Sequence, residues 1–428
     1  MSHKILRLTV PLALLGVVGP AATAMAADQG EQPPALAVTQ GPADKTSVTV
    51  VRPGADGKVT PVSTGQLRLK NLDASGRGVL TPGPSLRSGA SGAQQLRPGD
   101  VIAAPAAPGT PHGALVKVNE VHTGADGSVD VRTVPADLTE LLGDARADLN
   151  VPLTRDDIKV RPLGAGTTVR TGPQQTGSGN GLHFDVDVPL PSAITPTQGH
   201  SAPLSAGVDF APELKFSYER AHWYGVAPSK ALIGLAGDYT YGVKVHAQTG
   251  GAYESGHKPL HIPAAEVNVD KTVWLGPVPI VLNLKVDYFY EVSADGKVSL
   301  DAEQHTQGRL EVGARYDKSE GWRALTSPRP TSTATPPQVS GSATAKSGIG
   351  AHTEMGLYGS VGVAADTEPY LKAKAATQDS RTQWSLDAGL DVTGSFFAKL
   401  KLFGTPVVDQ KWPLPPLNWQ WKVAGSDT

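Results

Sequence analysis

From residue 182 to residue 423, apolar and polar residues alternate with a period of two. The clearest runs are Leu182–Val188, 239–246, 281–290 and 395–403. A period of two places one residue type on each face of a β-strand. Strands with one apolar and one polar face form antiparallel sheets that cover a core on one side. The pattern therefore predicts an all-β protein whose main part, residues 182–428, is a large antiparallel sandwich or barrel-like domain.

A smaller β-rich module is predicted at residues 46–170. Strand patterns at 114–121 and 128–134 lie within it, and the second alternates strictly. Pro135-Ala136-Asp137 then begins a short helix through Leu138–Leu142, with Asp137 suited to the first turn. We expect a small β-roll module with one short helix ahead of the large domain.

Three Asp-Gly turns are predicted to close hairpins. They are 54–57 and 124–127, both with the sequence GADG, and the near repeat 293–296. Asp tolerates turn geometry, and Gly takes the positive φ that such turns require. A calcium loop needs several oxygen ligands at alternate positions, and each of these turns offers one Asp. Hairpins are therefore favoured.

Composition marks three segments as connections. The 48 Gly and 36 Pro of this 428-residue chain concentrate partly in turns and partly in these stretches. We expect residues 27–45 to be a flexible lead-in and residues 171–181 a Gly/Gln/Ser linker between the two parts. Residues 326–348, rich in Pro, Ser and Thr, are expected to form a disordered loop inside the large domain.

The N-terminus has the pattern of a secretory signal peptide, residues 1–26. Lys4 and Arg7 precede an apolar stretch of 11 residues, and a small-x-small motif ends at Ala26. Cleavage between Ala26 and Ala27 is expected. The apolar stretch is too short to cross a bilayer core of about 30 Å as a helix. We therefore expect a secreted protein, either released or held at the cell surface.

Composition excludes several classes of protein. The chain has no Cys, which excludes disulfide scaffolds, thiol nucleophiles and Cys-based metal sites. Its net charge of −2, from 38 basic and 40 acidic residues, gives no basic surface for nucleic acid. After residue 26 no apolar run is long enough for a transmembrane helix. No cofactor is expected, because nucleotide-binding and zinc-protease motifs are absent from the sequence.

Two parts of the chain resemble exported, often actinobacterial, β-rich proteins of uncharacterised function. The first is the pattern PGDVI…GALVKV…VRTxPADL between Pro98 and Leu138. The second resembles their C-terminal β domain, and its matching pieces are 276–281, the ADGKV turn, Gly313 and Tyr316 with Gly321-Trp322, and 383–390. The resemblance implies export and an all-β fold, with an unknown function for the C-terminal domain.

Carboxylate pairs are the main catalytic candidates. Asp185 and Asp187 lie two residues apart on one predicted strand, so their side chains share a face at about 7 Å. Asp209 and Glu213, on either side of Pro212, form a second pair. Glycoside hydrolysis needs two carboxyl groups about 5–9.5 Å apart. A solvated sheet face is the alternative for such pairs, and we favour it.

Histidines and aromatic residues supply the remaining candidates. His257 and His261 could bind a metal with Glu254 or Glu266, but Pro259 makes this segment a loop, so ordinary loop histidines are favoured. Exposed aromatic rings can bind the apolar faces of sugars. The candidates for such a site are Trp223, Tyr224, Trp419 and Trp421. The alternation of Trp419 and Trp421 with polar residues instead favours a strand with one buried face.

The expected function is that of a secreted, non-catalytic interaction or structural protein. Its expected partner is cell-wall glycan or another extracellular protein, bound through loops at one end of the sandwich. One alternative is an extracellular polysaccharide hydrolase that uses a carboxylate pair. Another is a β-type membrane-active protein, for which the Gly-rich stretch 350–363 would supply the hairpin. An ordinary strand pair is favoured for that stretch.

Overall fold

A computed structural model of the chain describes most of its length. The described residues are 35–83, 96–125, 127–173, 181–189, 204–220, 228–248, 259–296, 299–325, 327, 330–334, 338–340, 343–378, 381–397, 411–413 and 417–426. The predicted signal peptide, with Ala26 and Ala27, lies outside these ranges. Within them, no helix has the length and apolar character needed to cross a membrane.

The segment expected to be a flexible lead-in makes ordered contacts where it is described. Strand β1 (Val38–Thr39) pairs with Leu275 and Trp274. Leu36 donates its backbone N–H to the carbonyl of Arg146 at 2.8 Å. Residues 35–39 are therefore held by backbone pairing, which their irregular composition does not reveal.

The small module is a closed six-stranded antiparallel barrel. Its strands are β2 (Ser47–Pro53), β3 (Val59–Leu72), β4 (Arg77–Pro82), β5 (Val101–Ala104), β6 (Ala114–Thr123) and β7 (Val129–Pro135). They follow the order β2-β3-β4-β7-β6-β5, and the pairing of β2 with β5 closes the barrel. Fully buried side chains such as Val48, Leu80 and Ile102 fill its interior. The module that was predicted as a small β-roll is therefore a closed barrel.

The predicted short helix follows the barrel. Helix α1 (Leu138–Leu142) begins after Asp137, whose backbone N–H donates to the Glu140 carboxylate at 3.1 Å, a contact typical of helix N-termini. Its leucines are buried in the same core cluster as residues from both large sheets. The helix therefore connects the barrel to the rest of the protein through apolar packing.

Two large antiparallel sheets form the rest of the fold. Sheet I contains β8 (Ala147–Pro152), β10 (Thr168–Pro173), β11 (Leu182–Val188), β12 (Leu204–Glu219), β13 (Lys230–Gln248), β16 (Ser299–Asp317), β17 (Gly321–Ala324), β18 (Thr331–Ala334) and β19 (Gln338–Ser340). Its main order is β10-β11-β12-β13-β16-β17, with β8 beside β12 and with β18 and β19 beside β16.

Sheet II faces sheet I across a shared core. It contains β1, β9 (Ile158–Pro162), β14 (Leu260–Leu275), β15 (Val278–Gly296), β20 (Ala343–Leu357), β21 (Ser360–Gln378), β22 (Arg381–Phe397), β23 (Lys411–Pro413) and β24 (Leu417–Gly425). Its order is β1-β14-β15-β20-β21-β22-β23, with β9 beside β14 and β24 beside β22. Phe216 from sheet I and Ile280 from sheet II belong to one buried cluster. The all-β, antiparallel prediction is confirmed.

Two of the three predicted hairpins are present, and the prediction of the third is wrong. Gly57 and Gly127, with φ of 77° and 79°, lie in the turns that join β2 to β3 and β6 to β7. The turn at 293–296 does not join paired strands, because β15 pairs with β14 and β20 while β16 pairs with β13. The chain passes from sheet II to sheet I at this point, so local turn chemistry does not decide the pairing.

The connections expected from composition do not separate the sheets. The strands that flank 171–181, β10 and β11, pair with each other, and β8 and β9 from the range 46–170 join the large sheets. Within 326–348, β18 and β19 pair with β16 and β20 begins at Ala343. Composition does not reveal these pairings: β10 and β11 pair across a Gly-rich connection, whereas β8 and β9 pair with strands that lie far away in sequence.

The Gly-rich stretch 350–363 is an ordinary strand pair of sheet II. Strands β20 and β21 meet at a tight turn in which Tyr358 and Gly359 have φ of 50° and 76°. Positive φ at both central residues is typical of a type I′ hairpin turn. Tyrosine rarely adopts a left-handed conformation. Here the buried Tyr358 hydroxyl donates to the carbonyl of Pro279, and this hydrogen bond holds the residue in place.

Candidate functional site

The predicted carboxylate pair belongs to a charged cluster on the outer face of sheet I. His183 is buried beside Asp185 on β11, and its imidazole lies between two carboxylates. Its Nδ1 is 2.8 Å from Asp209 Oδ1, and its Nε2 is 3.0 Å from Asp185 Oδ1. Burial opposes the charged imidazole, but the hydrogen bonds to Asp209 and Asp185 outweigh it, so the pKa of His183 is raised. The favoured state is an imidazolium held by two carboxylates.

Asp187 shares Arg170 with Asp185, which lies 3.7 Å from that guanidinium, and has a further partner of its own. Its carboxylate accepts a 2.7 Å hydrogen bond from Ser205 Oγ and forms a 2.9 Å ion pair with Arg170. The hydrogen bond from Ser205 and the ion pair with Arg170 lower the pKa of Asp187. A general acid in glycoside hydrolysis needs a raised pKa. The two aspartates share a face, as their spacing predicts. Each is engaged in ion pairs, and the lowered pKa of Asp187 does not suit a general acid.

The His183 cluster predicts a pH-dependent contribution to stability. A raised folded-state pKa stabilises the fold fully below the unfolded value of about 6.5, and the gain is lost as pH rises through the folded pKa. The difference in unfolding free energy between the wild type and His183→Gln should thus be largest near pH 6 and shrink towards pH 9. Chemical denaturation at several pH values measures it. His122→Gln, at an exposed position, controls for loss of an imidazole, and a difference independent of pH would contradict the ion-pair assignment.

An apolar cavity of about 130 Å³ lies between the inner faces of the two sheets. Sheet I supplies Val208, Phe210 and Tyr239 to its wall, and sheet II supplies Leu284 and Tyr288, among others. Most of the lining is aliphatic or aromatic. The cavity lies between residues that pack against two separate buried clusters, so the interior is filled at both ends and open in the middle.

Small residues at inward positions explain the cavity. The ring of Phe210 lies over Gly237 of the neighbouring strand, where an added Cβ would be 2.6 Å from the ring. Likewise the Tyr239 hydroxyl lies 3.0 Å from the position of a Cβ at Gly308. Both rings therefore lie along sheet I. Opposite them, sheet II presents the small side chain of Ala351 to the same space.

The cavity environment is mostly apolar, and its charged lining residue Arg309 is ion-paired with Asp238 and Glu311. Desolvation raises the pKa of Tyr288 to about 12 and that of Tyr239 to about 12 as well. Both phenols therefore stay neutral at physiological pH. An interior of this kind favours an apolar occupant and disfavours ions.

Two neighbouring spaces extend the cavity. One of about 40 Å³ is lined by Val186, Val208 and other apolar residues, and one of about 240 Å³ lies between β9 and β10. Phe184 lines all three spaces, so they adjoin. Together they reach the lower end of the ~300–1,000 Å³ typical of small-molecule sites. The space between β9 and β10 is called the mouth below.

The histidine candidates are only partly described. His257 lies outside the described residues, while His261 is exposed and stacks on Phe289 with ring centroids 4.1 Å apart. Glu266 is bound to Arg161 at 3.0 Å and to Asn268 at 2.8 Å. Among the described residues no group of three or more His, Asp or Glu side chains is arranged to hold a metal ion. His261 thus has an aromatic neighbour and no metal-binding geometry here.

Of the four aromatic candidates, the structure describes two. Trp223 and Tyr224 lie outside the described residues. Trp419 and Trp421 are half-buried on β24, in register with Leu390 and Ala388, which are buried. Trp421 packs against the buried cluster at that end of the sandwich. This pair therefore lies on the core side of sheet II, as its alternation with polar residues predicts.

Sequence reasoning missed the cavity and the role of His183. The inward small residues Gly237, Gly308 and Ala351 were a signal for the cavity, because long strands with small interior side chains leave volume unfilled. His183 also alternates in phase with Asp185 and Asp187, which was a further signal. Comparison with known protein families, curated proteins and solved structures gives no match for this chain. The resemblance at Pro98–Leu138 therefore stays a prediction.

Proposed function

We propose that the protein is a non-catalytic binding protein that holds an apolar molecule between its two sheets. It would act outside the cell, where the predicted signal peptide would direct it. The cavity of about 130 Å³ between the sheets carries this proposal. Its contents would be an apolar chain or ring, because the walls offer mainly aliphatic and aromatic contacts.

The energetic cost of the cavity supports a binding role. Protein interiors are close-packed, and an unfilled volume costs about 24 cal/mol per Å³. At that rate an enclosed, empty void of 130 Å³ would cost about 3 kcal/mol, a large fraction of the stability of an ordinary domain. An apolar ligand that fills the void recovers this free energy. Engineered apolar cavities of about 150 Å³ accept benzene, so the size is sufficient for a ring.

The charged cluster supports a non-catalytic role. Asp185 is bound to His183, and Asp187 is bound to Arg170 and Ser205 with a lowered pKa. A hydrolase of the predicted alternative kind needs one carboxyl group that stays protonated near neutral pH. The contacts of Asp187 stabilise its charged form instead. Ion pairing on the outer face of sheet I is the simpler role for this pair.

A cavity-filling variant tests the proposal. We expect the neutral fluorophore N-phenyl-1-naphthylamine to bind the wild type saturably at one site. Ala351→Phe places a phenyl ring in the cavity and should weaken this binding by about tenfold or more, the equivalent of roughly 1.4 kcal/mol. Fluorescence titration measures both affinities.

The matched control is Ala211→Phe. Ala211 lies on the strand β12 that lines the cavity, but it alternates with the inward residues and faces outward with Glu213 and Lys215. The same change in composition there should leave the affinity unchanged. Equal losses in both variants, or no saturable binding to the wild type, would rule the cavity out as the site.

A further inference from the structure

We infer that the bound molecule is a single-chain amphiphile whose anionic head group is held by Arg155 at the mouth of the cavity. This inference rests on the proposed function and names the class of ligand. The observation behind it is the change in lining between the cavity and the mouth. The cavity walls are mostly apolar, and the guanidinium among their described residues, Arg309, is ion-paired with Asp238 at 3.1 Å. The guanidinium at the mouth, Arg155, is not ion-paired within the described part of the chain.

Apolar side chains line the mouth together with Thr171 and Arg155. Its walls include Ile158 and Val160 from β9 and Val169 from β10, and Arg155 stands beside them. Ile158 also lines the main cavity, and Val160 lines the smaller apolar space. A chain that entered between β9 and β10 would therefore meet continuous apolar contacts, with its polar end left at Arg155.

The turn that carries Arg155 is fixed by its neighbours. Thr154 donates its backbone N–H and its hydroxyl to the Asp157 carboxylate, at 2.9 Å and 2.8 Å. The other Asp157 oxygen is 2.6 Å from the ammonium group of Lys271 in sheet II. The ion pair with Lys271 and the bonds from Thr154 outweigh burial and hold the pKa of Asp157 below its ordinary value. The negative charge of Asp157 is therefore already paired with Lys271, so Asp157 does not compete for Arg155.

Arg155 differs from the other cations near the mouth. Arg161 is paired with Glu266 at 3.0 Å, and Arg170 is paired with Asp187 at 2.9 Å. Arg155 is exposed and makes no ion pair within the described part of the chain. A guanidinium fork binds carboxylate or phosphate oxygens in a bidentate manner. The shared chemistry of the head group is thus that of a carboxylate or phosphate anion.

Two further exposed charges of opposite sign neighbour Arg155 in the described part of the chain. Asp156 follows Arg155 on the turn, and Lys159 lies on β9 with its side chain exposed. One acid and one base leave the positive charge of Arg155 as the local excess. An anionic amphiphile gains from this excess, a neutral one does not, and a cationic one loses.

Displacement of N-phenyl-1-naphthylamine from the wild type by three twelve-carbon ligands at pH 8 tests the inference. They are dodecanoate, dodecyl phosphate and dodecanol, which share a chain and differ in head group. At least one of the two anions should bind about tenfold more tightly than dodecanol, since a charge-assisted hydrogen bond is worth that much. The tighter of the two anions identifies the head group. Arg155→Gln should abolish the preference and leave the affinity for dodecanol unchanged.

Lys159→Gln is the matched control, because it removes an exposed cation from the same edge without touching the mouth lining. The anion preference should survive in this variant. Equal binding of all three ligands to the wild type, or a preference that persists in Arg155→Gln, would overturn the inference and leave the proposed function intact. If none of the three ligands displaces a probe whose binding Ala351→Phe weakens, the amphiphile inference fails and the proposed function stands. If the probe does not bind the wild type saturably, the proposed function itself fails.

Discussion

Phe216→Ala is expected to lower the free energy of unfolding by about 3–5 kcal/mol. Phe216 is fully buried on the inner face of β12, within the cluster shared by both sheets and α1. Removing its ring there deletes close contacts and leaves a void that rigid strands cannot close. Denaturant titration followed by tryptophan fluorescence measures the loss.

Phe210→Ala gives the internal comparison. Phe210 lies on the same strand and the same face, but one side of its ring already borders the cavity. It therefore has fewer contacts to lose, and its truncation should cost about half as much or less. Equal costs at the two positions would show that the cavity is closed in solution.

Leu138→Ala is expected to destabilise the barrel and the sheets together, by about 2–5 kcal/mol. Leu138 is fully buried in α1, in the same cluster as Tyr218 of sheet I and Ile280 of sheet II. The Tyr218 hydroxyl also donates to the carbonyl of Gly143, just after the helix, at 2.9 Å. The helix therefore packs in a cluster that contains residues of both parts, and loosening it affects both.

The sequence provides separate probes for the two parts. All seven Trp residues lie beyond the barrel, so tryptophan fluorescence reports on the rest of the chain. Because the chain has no Cys, Lys58→Cys in the barrel can be labelled at a single site. The two signals should give one coincident unfolding transition in the wild type and in Leu138→Ala. Two separate transitions would show that the barrel unfolds independently of the sheets.

The fold class was predictable because alternation is a local property. Leu182 to Val188 alternate strictly, and the strand they form has one inner and one outer face. The turns at Gly57 and Gly127 were predictable for the same reason, since each closes a hairpin of adjacent strands. The turn at 293–296 was not, because the partners of β15 and β16 are set by sheets built from distant segments.

The candidate site was predictable only in its local part. Asp185 and Asp187 share a face, which the period of two fixes. Their partners depend on register: Asp209 reaches His183, and Ser205 reaches Asp187, only because β11 and β12 pair at those positions. The cavity depends on the packing of two sheets, which no single strand pattern encodes.

The measurement that tests the central claim most directly is methyl NMR of the full-length protein saturated with dodecanol, once with perdeuterated and once with protonated ligand. With the protonated ligand, intermolecular nuclear Overhauser effects from the dodecanol protons are expected at the methyl groups of Val208, Leu284 and Ile349, which line the cavity. None is expected at Leu67 and Leu80, which fill the barrel. Effects at the barrel or on exposed methyl groups alone, with none at the cavity lining, would contradict binding between the sheets.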